Sequence, residues 1–145
     1  FSLIADDFSP MSISGNHYNF PSAISIKQGF YKPASKLFNN FVNLKQYFIS
    51  ETKGNVKYLP PDNKNEMVLS TRCDKVFNVK FGKNLSNEIK EVNKGVALNK
   101  ILPDAWISNN MEHAKNFINW VKGTTFYNLT YNDNEEIVKM INKII

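Results

Sequence analysis

The spacing of apolar residues changes period several times along the chain, and each change predicts an element. Residues 1–31 alternate in short stretches, as in Ala23-Ile24-Ser25-Ile26-Lys27, broken by Pro10, Gly15, Pro21 and Gly29. Short strands and turns are expected there. Pro33 suits the first turn of a helix, and Leu37, Phe38, Phe41, Val42, Leu44, Phe48 and Ile49 follow at helical spacing, which predicts a helix over 33–50. Val56 to Leu59 reads as a strand near 56–59, ended by Pro60-Pro61 and a polar loop to Asn65. Glu66–Arg72 and Lys75–Phe81, joined at Cys73-Asp74, predict a hairpin over 66–81, its second arm alternating Phe77, Val79 and Phe81 against Asn78 and Lys80.

Beyond Gly82, Leu85, Ile89, Val92 and Val96 form a narrow helical stripe that predicts a helix over 85–96, while Ala97 to Leu102 either continues it or turns to strand before Pro103. A third helix, 110–122, has Asn110 as N-cap, Met111, Ala114, Phe117, Ile118 and Val121 as its apolar face, and Gly123 as C′ residue. Thr124 to Tyr131 is dense in Thr, Tyr and Phe and predicts a strand over 124–131. Asp133 with Glu136 has the spacing of a capping box before a last helix, 134–144, whose buried face is Ile137, Met140, Ile141 and Ile144. Strands grouped centrally with helices before and after predict an α+β fold, a small antiparallel sheet packed against about four helices.

Composition supports this and adds limits. A chain of 145 residues with 42% apolar and 21% charged residues is expected to form one domain over 1–145. Apolar runs stay far below the roughly 20 residues that cross a bilayer, so no membrane span is expected. Cys73 is the sole cysteine, which excludes an internal disulfide and gives no reason to expect a disulfide-linked partner. Phe at position 1 is expected equally of a mature secreted chain and of a fragment of a larger protein, so localisation is left unassigned.

The chain holds 21 Asn and 17 Lys but a single arginine, Arg72. AT-rich codons produce this asparagine-rich, lysine-rich bias, so a basic isoelectric point is by itself weak evidence for nucleic acid. The sequons at Asn84 and Asn128 carry no weight either, since this composition yields roughly two by chance. Placement of charge is more specific. Residues 8–61 contain Lys27, Lys32, Lys36, Lys45, Lys53 and Lys57 against Glu51 alone, so the net charge of +5 lies entirely in this stretch. The same stretch carries ten of the nineteen aromatic residues. Basic residues interleaved with aromatics suit an acidic partner, either a protein surface or nucleic acid. The expected contacts are Lys27, Tyr31, Lys32, Lys36, Lys53, Lys57 and Tyr58, with Lys supplying long-range attraction and Tyr short-range contact. A solvated lysine face over a Phe38, Phe41 and Phe48 core is the plainer alternative. Lys45 falls mid-arc on the apolar side of the 33–50 helix, as a buried functional amine or a stem reaching solvent.

Catalytic patterns are sparse, and no catalytic residue, cofactor or metal ligand is assigned. His17 and His113 neighbour no cysteine or acid at metal-ligand spacing. Cys73, His113 and Asn128 or Asp133 follow the order of a thiol-protease triad, but a hairpin turn lacks the thiolate stabilisation that such a nucleophile needs. Pro61-Asp62 with Glu88-Ile89-Lys90 resembles the PD…ExK pattern of metal-dependent nucleases; on a helix Glu88 and Lys90 would diverge and not share a metal site. Lys64 to Leu69, followed by Phe77-Asn78-Val79, faintly resembles the glutamate strand of ADP-ribosyltransferases. Lys64 stands where that family has an acid or Gln. The six glycines are too dispersed for a phosphate loop. The sequence thus predicts a non-enzymatic interaction domain. Its alternatives are a small toxin- or effector-type enzyme with Glu66 and the Cys73-Asp74 turn lining its site, and a structural subunit of an assembly.

Overall fold

A computed structural model describes residues 4–20, 22–61 and 69–145. Glu66 and the first part of the expected hairpin, together with Asp62 and Lys64, lie outside the described residues. The fold is mixed α+β, with four α-helices and three small sheets among the described residues rather than one central sheet. The chain divides into two compact units, residues 1–11 with 17–71, and 12–16 with 72–145.

In the first unit, β2 (Ile24–Lys27), β3 (Gln46–Ser50) and β4 (Gly54–Leu59) form an antiparallel sheet in the order β2-β4-β3. The register sets Lys27 opposite Val56 and Ser25 opposite Tyr58 on one side, and Tyr47 opposite Val56 on the other. Gly54, at φ +65°, turns the chain between β3 and β4, a left-handed conformation that glycine adopts without a Cβ clash. Helix α1 (Tyr31–Leu37) does carry Pro33 in its first turn. It stops thirteen residues short of the expected 33–50 helix: a 3₁₀ turn at Phe41–Asn43 follows, and Gln46–Ser50 is strand β3. Tyr47, Phe48 and Ile49 are good strand formers, and pairing with β4 outweighs the helical spacing of the apolar positions. Accordingly Phe41 is buried, whereas Leu37, Val42 and Phe48 are exposed. Among the described residues, Ala34, Phe41 and Val56 are the buried apolar residues of this unit.

Two short strands, β1 (Asn16–Tyr18) and β5 (Ser70–Arg72), pair with each other. Among the described residues, the expected hairpin is therefore not made. Strand β6 (Lys75–Phe81) instead runs parallel to β8 (Thr125–Tyr131), from Lys75 opposite Thr125 to Phe81 opposite Tyr131. A two-residue hairpin turn needs positive φ, and among the described residues no non-glycine has it, Cys73 and Asp74 included. Their carbonyls serve another purpose: Asp74 O accepts from Thr125 N at 2.8 Å, and Cys73 O accepts from Trp120 Nε1 at 2.9 Å and Thr124 Oγ1 at 3.2 Å.

The second unit's sheet has the order β6-β8-β7, with β7 (Glu88–Val92) antiparallel to β8. The expected 85–96 helix is thus wrong in its main part. Ile89 pairs with Leu129 and Val92 with Phe126, so β-branched residues that also fit a helical stripe are used on a sheet. The helix begins later, as α2 (Lys94–Ile101), where the Asn93 side chain accepts from Gly95 N at 2.8 Å. The two C-terminal helices form near the expected places: α3 spans Met111–Gly123, with Phe117 and Val121 of its expected apolar face buried and Met111 exposed, and α4 spans Asn134–Ile141, three residues short of the expected 144, with Ile137 buried. Asn110 caps α3 through Glu112 N, and Asp133 caps α4 through Glu135 N and Glu136 N. Glu136 does not complete a capping box with Asp133; its carboxylate accepts from Asn87 Nδ2. Nor is Gly123 a left-handed C′ residue, for it ends α3 without positive φ. Ala97, Phe117, Val121, Phe126, Leu129 and Ile137 are buried in this unit, with Trp120 packed edge-on against Phe126 at 6.1 Å.

Candidate binding surface

The alternation of strand β4 separates the expected contact residues into two groups. Lys57 points to one side of the sheet. Its amine donates to Phe41 O at 3.2 Å and Val42 O at 2.8 Å and lies 5.2 Å from the Phe41 ring centroid and 5.6 Å from that of Tyr31. The Tyr31 ring meets Phe41 edge-on at 5.5 Å, and its buried hydroxyl has no hydrogen-bond partner among the described residues. Tyr31 and Lys57 therefore belong to the packing of α1 and the 3₁₀ turn on the sheet. The ammonium satisfies carbonyls within the 3₁₀ turn, and the two rings face its charge.

Val56 and Tyr58 point to the other side, together with Tyr47, Ser25 and Lys27, their partners in register. Tyr47 and Tyr58 are 42% and 40% exposed and meet each other at a centroid distance of 5.7 Å; Val56, opposite Tyr47 and two residues before Tyr58, is buried. Lys45, exposed, holds its amine 5.2 Å from the Tyr47 centroid. This removes the reading of Lys45 as a buried amine: it stands just before a strand, not in the middle of a helix. Lys27 is exposed at the end of β2. The surface therefore unites Lys27 and Tyr58 with Lys45 and Tyr47, two residues that were not among the expected contacts. A strand assignment for Gln46–Ser50 would have found them, since Lys45 and Tyr47 then share a face by period two. Lys32 and Lys36 are exposed on α1, and Lys53 is exposed in the β3–β4 turn.

Among the described residues, the thiol-protease pattern does not assemble. Burial raises the Cys73 thiol above its ordinary value, a backbone hydrogen bond from Lys75 opposes the rise, and the Asp74 charge adds to it. That is the reverse of an activated nucleophile. His113 Nδ1 is bonded to Ser108 Oγ at 2.6 Å, and Asn128 Oδ1 accepts from Asn78 Nδ2 and Lys100 Nζ, both at 3.0 Å. Because residues 88–92 are a strand, Glu88 and Lys90 do share a face, contrary to the helical expectation. They spend that proximity on one another, at 2.8 Å, and among the described residues no group of three His, Cys, Asp or Glu is placed to hold a metal. Among the described residues, no helix is long and apolar enough to cross a membrane. Comparison of the chain with protein-family models, with curated proteins and with solved structures finds no significant match.

Proposed function

We propose that this chain is a non-enzymatic interaction domain that binds an acidic partner on the β2-β4-β3 sheet, through Lys27, Lys45, Tyr47 and Tyr58, with Lys53, Lys32 and Lys36 contributing longer-range attraction. The observation that carries the reading is the exposed Tyr47–Tyr58 pair flanked by two lysines on one sheet face. Paired tyrosines offer rigid amphipathic contact area with little side-chain entropy to lose, and adjacent ammonium groups favour an anionic partner. Tyr31 and Lys57, committed to internal packing, are assigned a supporting role.

The test is fluorescence anisotropy with two labelled probes, a mixed-sequence single-stranded oligonucleotide and a poly-glutamate peptide, each at low and physiological salt. At least one probe is expected to bind, more weakly at the higher salt. A K27E/K45E double reversal should weaken it tenfold or more, and K32E/K36E less. Failure of both probes to bind, or binding that ignores salt and both reversals, overturns the proposal.

A second reading, a structural subunit of an assembly, draws on β6. This strand is an edge of its sheet, with Val79 and Phe81 each 57% exposed. Light scattering over a concentration series tests it: self-association abolished by V79K supports that reading, and a monomer at all concentrations ends it.

A further inference from the structure

A cavity of about 260 Å³ in the second unit is lined by Ser14 and Gly15, by Arg72, and by Asn116, Asn119 and Trp120 of α3. It is smaller than the roughly 300–1,000 Å³ of sites for drug-sized ligands, so its size suits a small ligand. Its walls are also one-sided in chemistry. Among the described residues no aspartate or glutamate lines it, and it contains the only arginine of a chain that otherwise uses lysine seventeen times. Among the described residues the Arg72 guanidinium has neither an ion-pair nor a hydrogen-bond partner, although Arg72 is exposed. Asn116 Nδ2 is buried and, among the described residues, has no acceptor either.

The spacing explains why these groups meet. Asn116, Asn119, Trp120 and Gly123 recur at helical intervals of three and four, which places them on one face of α3. Gly123 leaves that face bare at its end, and Arg72 Nη2 lies 3.4 Å from the point where a Cβ on residue 123 would stand. Opposite, the turn closed by Gly15 N donating to Ser12 O at 3.0 Å presents Ser14 and Gly15, the latter at φ +82°.

Capping of α3 would be the structural use of an arginine here, but that task is already met. Thr124 N donates to Trp120 O and Val121 O, Thr124 Oγ1 donates to Trp120 O, and Lys94 Nζ donates to Lys122 O. The Arg72 fork is therefore surplus to the helix terminus. A planar fork with parallel N–H donors matches the paired oxygens of a carboxylate or phosphate, and lysine does not reproduce that match. We infer that this cavity is a binding site for a small oxyanion-bearing ligand, a carboxylate or phosphate, held by the Arg72 guanidinium and the Asn116 amide. The inference is independent of the sheet surface proposed above, none of whose residues line the cavity.

Trp120, on the cavity wall, is the reporter. In a W106F background its fluorescence is titrated with inorganic phosphate, with acetate and with chloride at constant ionic strength. A saturable change with phosphate or acetate but not chloride is expected, and the tighter of the two assigns the class. R72K and R72Q should each weaken binding at least tenfold with unaltered circular dichroism. N116L, which removes the unmet donor, should weaken binding while leaving the unliganded melting temperature unchanged or raised. Absence of a saturable response in the millimolar range, an equal response to chloride, or undiminished binding by R72K overturns the inference. If R72Q misfolds, R72K and N116L decide it.

Discussion

Lys57 and Tyr58 are adjacent in strand β4 and face opposite sides of its sheet: the amine of Lys57 is held by the carbonyls of Phe41 and Val42, whereas the ring of Tyr58 packs on Tyr47. One peptide bond separates a structural cation from a surface contact.

That relationship predicts opposite phenotypes for neighbouring substitutions. Lys57→Met leaves two carbonyls without their charged donor and removes an ammonium from two aromatic rings, so it should destabilise the fold by about 1–3 kcal/mol. Lys27→Met, at the exposed end of β2, should change stability by no more than about 0.5 kcal/mol. Urea unfolding of the two variants checks this. Equal stability losses would remove the structural assignment of Lys57.

Cys73 should react slowly with thiol reagents. Burial raises its pKa, as does Asp74, so the thiolate fraction near neutral pH is smaller than for a free cysteine. Reaction with a disulfide reagent should be slower than in the urea-unfolded chain by tenfold or more. Asp74→Asn should speed it modestly by removing the smaller of the two raising effects.

His17 gives the fold a pH dependence with a definite sign. Burial lowers its pKa in the folded chain, so the unfolded chain binds the proton more readily. Its contribution to stability is complete above the unfolded-state value near 6.5 and is lost as pH falls from there through the lower folded value. Denaturant midpoints should therefore decline below about pH 6.5. In His17→Asn that share of the decline should be missing. Carboxylate protonation, at lower pH, is separated by its position on the pH axis.

The sequence was most legible where the chain marks its own boundaries. Asn110 and Asp133 cap α3 and α4 as their side-chain chemistry requires, and the strand at 125–131 has the Thr, Tyr and Phe density that a pleated sheet favours. These signals act over three or four residues, so they need no knowledge of what packs on them. The basic, aromatic character of residues 8–61 is likewise a property of the sequence alone.

Tertiary structure alone decided the rest, because the deciding interactions join distant residues. Gln46–Ser50 and Glu88–Val92 fit helical spacing, yet partners at 54–57 and 126–130 draw them into sheets. Lys75–Phe81 reads correctly as a strand, but its pairing with β8 rather than with the preceding run depends on what the Cys73 and Asp74 carbonyls meet across the unit. Side-chain alternation is fixed by the strand, whereas the surface on which a residue emerges is fixed by the partner strand and by the turn packed against it. For that reason the sequence could name Lys27, Lys57 and Tyr58 as candidates, and only the fold could divide them.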